Sequence, residues 1–288
     1  MVVSEEGRNL SYSCVLLYHN LQKNCIIFFM NICLFEQAEI DKILDSRDER
    51  AVHLNRVLHK KTGDTFSAGI IGGKAGTATI TNAIEVKNPK TGKTEYSYEF
   101  KFEPLSDGKP LLPLIMIIGF PRPIQLKRLL RDIAGLGVLE VHLTGTELGE
   151  KSYMQSTLVE RGAAYKMLLD GTVQAASTHV PELFLHSALS ECIESLEKRY
   201  GKNAMRVTLD NVKKECSLQE WISKNKKPDI NNPVIAAIGS ERGWTDNERV
   251  ELTQSGFAMC SMGERVLRTE TAATVSASII LSSFGFLC

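Results

Sequence analysis

Val234-Ile-Ala-Ala-Ile-Gly-Ser-Glu-Arg-Gly-Trp-Thr-Asp-Asn-Glu248 decides the fold. Its first five residues form an unbroken apolar run that stops at Gly239. That pattern marks a strand buried on both faces, and such strands belong to parallel sheets. Gly239 and Gly243 bracket a tight loop, after which Thr245 offers an N-cap. Glu248 stands three residues on, at the capping-box spacing, so a helix is predicted from about Asp246. Ser261-Met-Gly-Glu-Arg-Val-Leu-Arg-Thr-Glu-Thr-Ala272 repeats the design. A brief apolar segment over Met259 to Met262 breaks at Gly263, and a helix rich in small residues runs on from Thr269. Two strand-loop-helix units so close in sequence predict two loops at the carboxyl ends of neighbouring parallel strands. In open α/β sheets that crevice binds small ligands.

Working outward, apolar runs alternate with helical patterns. Leu111 to Gly119, Gly137 to Thr144 and Arg206 to Asp210 read as strands. Pro121 to Leu136, Ser187 to Tyr200 and Ser217 to Lys224 read as helices, and Leu168 to Thr178 reads as another. In the first helix Ile124, Leu126, Leu129, Leu130 and Ile133 are expected to face inward, with Lys127, Arg128 and Arg131 as a basic stripe. This alternation predicts an α/β domain over residues 106–288. Residues 30–105 read instead as short alternating segments with turn signals, the pattern of a small antiparallel β-barrel. Lys101 to Pro113 reads as the linker. The apolar patch Cys25 to Met30 is too short to span a bilayer, and Glu5 and Glu6 stand where a signal peptide carries positive charge.

Composition bounds the partners. Of 288 residues, 43% are hydrophobic and 24% charged, as in ordinary soluble domains. Basic and acidic residues balance at 34 each, which argues weakly against nucleic acid but leaves a local basic face open. Seven scattered cysteines, none in C-x-x-C spacing, indicate neither a disulfide framework nor a zinc site, which suits a reducing cytoplasm. No metal and no membrane partner are expected.

The first loop is no phosphate cradle. It lacks the Lys-Ser/Thr of a P-loop and the three glycines of a dinucleotide fingerprint. Ile238-Gly-Ser-Glu-Arg-Gly-Trp-Thr-Asp-Asn-Glu248 instead resembles the I-G-P-E-G-G-F-S/T-x-x-E loop of the RsmE family, the bacterial 16S ribosomal RNA uridine N3-methyltransferases. It departs from that loop at Ser240, Arg242 and Trp244. Met262-Gly-Glu-Arg-Val-Leu-Arg-Thr-Glu-Thr-Ala272 resembles the family's L-G-x-R-I-L-R-x-E-T-A loop at almost every position. The likeness extends over roughly residues 30–284 and includes Ala51-Val-His-Leu-Asn-Arg-Val-Leu-His59, Gln174 and Val180-Pro-Glu-Leu183. Met30-Asn-Ile-Cys-Leu-Phe-Glu36 resembles the family's usual first residues, so residues 1–29 are read as an upstream extension.

The resemblance implies a SPOUT trefoil-knot methyltransferase domain after a PUA-like RNA-binding barrel. It implies S-adenosylmethionine as cofactor, held largely by main-chain groups of Leu209, Ile238, Gly239, Glu241, Gly243, Ser261, Met262, Gly263, Val266 and Leu267. A site with few charges suits a cofactor that brings its own reactive centre. His53, Arg56, His59, Lys60, Lys61, Lys127, Arg131 and Lys151 are candidates for RNA contacts, or else an ordinary solvated rim. As uridine N3 loses its proton, charge spreads onto O2 and O4, and a donor aimed there lowers the barrier. Arg268 is the candidate for that role unless it is spent on an ion pair with Glu270 or Glu241. Glu270, with Arg265 and Thr271, would orient base or cofactor. The partner implied is 16S ribosomal RNA of the small subunit, and a homodimer is expected. Thr269 to Ser283 would serve as its interface or as an interior helix. Two alternatives stay open: another ribosomal or transfer RNA nucleotide as acceptor, or a non-catalytic RNA-binding knot protein.

Overall fold

The computed structural model describes residues 32–89, 92, 94–154, 162–201 and 204–287. The expected extension over residues 1–29 lies outside them. The N-terminal unit holds β1 (Cys33–Phe35), α1 (Glu49–Arg56), β2 (Thr65–Ile70), β3 (Ala75–Lys87) and β4 (Thr94–Ser106), in sheet order β1-β2-β3-β4. β2, β3 and β4 pair antiparallel as expected, but β1 lies parallel to β2, with Cys33 opposite Ala68. The sheet is therefore mixed, because the chain crosses over through α1 before laying β2 beside β1, the connection a parallel pair needs. Asp48 starts α1 by accepting a hydrogen bond from the Arg50 amide. Ala51 and Leu54 on α1 are buried in a core shared with Phe35, Phe66, Ile80, Tyr98 and Phe100.

Lys101 to Ser106, expected as linker, instead continues β4. Its partner explains why. A Cβ on Gly76 would sit 2.0 Å from the Glu103 carbonyl oxygen, so only glycine lets β3 close up here. The register slips between Ala75 and Gly76, opposite Pro104, which has no amide to offer the ladder.

The C-terminal unit is built on seven parallel strands. In chain order these elements are β5 (Leu112–Gly119), α2 (Pro123–Leu136), β6 (Val138–Thr144), α3 (Ala163–Gln174), β7 (Glu182–His186), α4 (Leu189–Tyr200) and β8 (Met205–Leu209). There follow β9 (Cys216–Ser217), α5 (Leu218–Ser223), β10 (Val234–Ile238), α6 (Asp246–Gln254), β11 (Ala258–Ser261) and α7 (Thr269–Ser283). The sheet order is β7-β6-β5-β10-β8-β11-β9. Alternate residues of β5 and β10 enter opposite layers, as side chains of a pleated strand must. Leu114, Met116, Ile118, Val234, Ala236 and Ile238 pack with α2, α5 and α7. Ile115, Ile117, Ile235 and Ala237 pack with α4, Trp244 and Leu252. Truncating one of these isoleucines to alanine costs about 2–5 kcal/mol, transfer plus cavity.

Three expectations need correction. β10 and β11 are not neighbours: β8 lies between them and pairs with both. Ile124 is 75% exposed, because two residues place it about 200° around the helix from buried Leu126. The helix expected to reach Thr178 stops at Gln174, after which Ala176 turns at φ 51°. The released segment docks onto the first unit, where the Gly72 amide donates to Thr178 O (2.8 Å) and Thr178 Oγ1 donates to Gly73 O (2.7 Å). Among the described residues no helix is long and apolar enough to cross a membrane.

Candidate cofactor site

Strand order turns around at β5, which has β6 and β7 on one side and β10 on the other. That is a topological switch point, and the loops leaving the carboxyl ends there form the crevice expected of this architecture. At the end of β10 the chain folds back on itself. The Gly243 amide donates to Ser240 O (2.9 Å), and Gly243 adopts φ 73°. A Cβ on Gly239 would lie 2.8 Å from the Gly243 carbonyl carbon, so the loop closes only with glycine there. Gly119 ends β5 under the same constraint, since its Cβ would fall 2.4 Å from the Ser240 amide nitrogen. Thr245 then caps α6 in a full capping box: its amide donates to Glu248 Oε2 (2.8 Å), and the Glu248 amide donates to Thr245 Oγ1 (3.2 Å).

The second loop reaches the first across β8. Ile238 and Cys260 both stand opposite Leu209, so β10, β8 and β11 end at one level. From Ser261 the chain passes Gly263, at φ 113°, and leads into α7. There Thr269, at the first position of α7, donates from Oγ1 to Gly239 O (3.4 Å). The small-residue face of α7, including Ala273, Ser276 and Ala277, is buried within the chain against α2 and β5. Small side chains let those elements approach closely.

Most expected cofactor residues thus converge on this junction. Leu209, Ile238, Gly239 and Ser261 are buried at the strand ends, Met262 and Leu267 are half-buried, and Val266 is 81% exposed. Gly243 and Gly263 have nothing within 4 Å of a built Cβ, so the space beside each Cα is open. Glu241 faces the loop after β5, where Arg122 reaches it through Nε (3.4 Å) and through its amide (3.3 Å). Arg268 is therefore not paired with Glu241. It is exposed at the N-cap of α7, and neither it nor Glu270 has an ion-pair partner among the described residues.

Residues that the sequence did not single out hold this junction. Arg249 on α6 forms a buried ion pair with Asp210 just beyond β8, and that pair holds the guanidinium above its ordinary range. Lys213, and then Arg249, hold the Asp246 carboxyl below the usual carboxylate range. The Asp210 carboxylate also accepts from the Val212 amide (2.7 Å). A cavity of about 490 Å³ opens beyond this pair, lined by Lys213, Lys214, Arg249, Val250 and Met259 among others. A smaller one of about 220 Å³ lies at the ends of β5, β6 and β7, lined by Phe120, Gly145, Thr146, Lys151, Met154 and Ser187 among others. Neither is lined by an expected cofactor residue, but the smaller borders the end of β5 through Thr146, whose Cγ2 lies 2.9 Å from a Cβ built on Gly119.

The expected RNA contacts fall into two groups. His53, Arg56, His59, Lys60 and Lys61 lie on or just after α1. Arg56 is partly spent on Glu95 (3.1 Å), the His53 Nε2 is buried without a partner, and His59 turns at φ 50°. Lys127 and Arg131 are exposed on α2, where Arg131 pairs with Asp170 (2.8 Å), and Lys151, also exposed, opens a single helical turn.

Comparison with known proteins bears on the family and the fold. Residues 108–281 match the RNA methyltransferase domain family. The chain is 38% identical to ribosomal RNA small subunit methyltransferase E of Treponema pallidum, covering 88% of this chain and 91% of that one. It is 30% identical to ribosomal RNA small subunit methyltransferase E 1 of Borreliella burgdorferi, covering 88% and 98%. Its fold is similar to the crystal structure of a Neisseria gonorrhoeae ribosomal RNA small subunit methyltransferase E bound to S-adenosyl methionine. The TM-score there is 0.67 at 21% identity, over 88% of this chain and 98% of that one. On residues, fold and relatives together, the chain belongs to the RsmE family of ribosomal RNA small subunit methyltransferases.

Proposed function

We propose that this chain transfers the methyl group of S-adenosylmethionine to N3 of a uridine in 16S ribosomal RNA. The observation that carries this reading is the hydrogen bond from Thr269 Oγ1 to Gly239 O, which draws the second glycine-broken loop onto the first. The cofactor supplies an electrophilic methyl sulfonium and asks the protein mainly for position. The junction suits it: glycine turns at Gly243 and Gly263, with apolar Leu209 and Ile238 buried at the strand ends beside them. Arg268, unpaired and exposed at the head of α7, is the group we assign to the charge that grows on the uracil oxygens.

N3 lies on the pairing edge, so the uridine must leave its helix before it can react. The 220 Å³ cavity beside Thr146 is the receptacle we propose for the flipped base, with Lys151 on its rim to hold the adjoining phosphate. Phosphate contacts position without specifying sequence. The same role is proposed for His53, Arg56, His59, Lys60, Lys61, Lys127 and Arg131. We read residues 30–105 as a PUA-like RNA-docking barrel and 106–288 as a SPOUT domain whose second loop passes through a trefoil knot. The active form is proposed as a cytoplasmic homodimer.

The test is transfer of labelled methyl groups to isolated small subunits, large subunits and transfer RNA, followed by nucleoside analysis. Label recovered as 3-methyluridine from small subunits alone is expected. Label in another RNA overturns the acceptor, and no label in any of them overturns the enzyme.

A further inference from the structure

Away from both loops, β6, β7 and α4 enclose a polar cluster that the proposed reaction does not use. His142 on β6, His186 at the end of β7 and Cys192 on α4 are all buried. One ligand atom from each, two imidazole nitrogens and a thiol sulfur, lie within 4.8 Å of one another, the one such group of three found among the described residues. We propose that these three side chains bind a single zinc ion.

The surroundings are those of a metal ligand set. A metal-bound histidine usually donates its second ring nitrogen to a carboxylate, which fixes the tautomer and raises the basicity of the first. His142 meets that condition, with Nε2 2.9 Å from Glu140 Oε2 and Nδ1 turned towards His186 Nε2, also 2.9 Å away. Glu140 is anchored in turn by Arg199 Nη2 (2.7 Å) and by the Tyr200 hydroxyl. Phe184 stacks on His142, ring centroids 4.6 Å apart, and Arg199 caps Phe184 at 4.5 Å, so the imidazole cannot swing away. The two histidine rings lie within 2° of parallel. As it stands, this assembly makes one hydrogen bond between the imidazoles and none to the Cys192 thiol.

Zinc accepts both nitrogen and sulfur, and three protein ligands leave its fourth tetrahedral position for water. On binding, His186 carries its proton on Nδ1 instead of Nε2, and Cys192 loses its thiol proton to solvent. The bond formed is metal to thiolate, and no electron changes hands. Cysteine spacing gave no hint of this site because its ligands come from three elements, with His142 and His186 44 residues apart. The ion would brace the small cavity: the Gly145 amide donates to the His186 carbonyl (3.0 Å), and Gly145 and Ser187 line that cavity.

The test uses the full chain stripped of metal and titrated with zinc or with cobalt(II) as a visible substitute. One equivalent is expected to bind and to give a thiolate-to-cobalt absorption band. Cys192→Ser should lose the band, and Glu140→Gln should keep it with affinity weaker by about 10–100-fold. X-ray absorption on the zinc-loaded wild-type chain covers the case in which a variant fails to fold. It should show two imidazole nitrogens and one sulfur. No cobalt band in the wild type, or a band that survives Cys192→Ser, overturns the proposal. So does a shell with two sulfurs, which would place the ion at Cys216 and Cys260.

Discussion

The main-chain amide of Glu147, in the loop after β6, donates to Oε1 of Glu248 (2.9 Å), whose Oε2 caps α6 from within its first turn. One buried carboxylate therefore ties the rim of the small cavity to the first cofactor loop. Replacing Glu248 with alanine removes half of a capping box and leaves two amides without acceptors. The loss should be about 1–3 kcal/mol of stability. A lower denaturant midpoint at unchanged slope would show it.

Gly243→Ala places a Cβ at φ 73°, and Gly239→Ala drives one into the Gly243 carbonyl. Strain at such positions costs more than about 1 kcal/mol. Both variants are expected to weaken cofactor binding at least tenfold. Gly201→Ala, also at positive φ but remote from both loops, should lose stability and leave binding intact. Equilibrium titrations of the three separate loop geometry from general instability.

Arg268→Ala should slow methyl transfer by about 10²–10³-fold, the usual cost of removing a donor aimed at developing charge. Cofactor affinity should stay within twofold of the parent. Lysine should restore little, because a point charge does not reproduce the planar fork. Single-turnover rates beside binding constants decide it, and an unchanged rate takes Arg268 out of the mechanism.

Hydrogen bonding to Arg50 holds the Glu39 carboxyl down from its ordinary 4.5 to about 2. A depressed carboxyl stabilises the fold above its unfolded pKa, and that contribution fades as pH falls from 4.5 to about 2. Glu39 is partly exposed, so the contribution is at most about 1 kcal/mol. Hydrogen exchange in α1 should show Glu39→Gln less protected than the parent at neutral pH and equal to it once Glu39 is protonated.

The elements that position the site were legible wherever one residue's surroundings come from its sequence neighbours. The apolar run Val234–Ile238, the Thr245–Glu248 cap and the helix from Thr269 all stand where the pattern places them. What escaped depends on partners far along the chain. β8 entering between β10 and β11 is a matter of sheet order, which periodicity does not encode. β7 was missed because Glu182–His186 is a short edge strand without a long apolar run. Asp210 and Arg249 look like ordinary surface charges until the fold pairs them across 39 residues, and the Glu147 amide meets Glu248 only across 101. Gly119 did carry a readable signal, a glycine closing a buried strand, which the contact with Ser240 explains.

The central claim is that two glycine-broken loops, joined at Thr269 and Gly239, clasp one adenosyl cofactor through their main chain. Calorimetric titration of the full chain with S-adenosylhomocysteine, the demethylated product, tests it most directly. One saturable site per chain is predicted, lost in Gly239→Ala and kept in Arg268→Ala. No heat of binding in the wild type, or binding that ignores the Gly239 substitution, would contradict it.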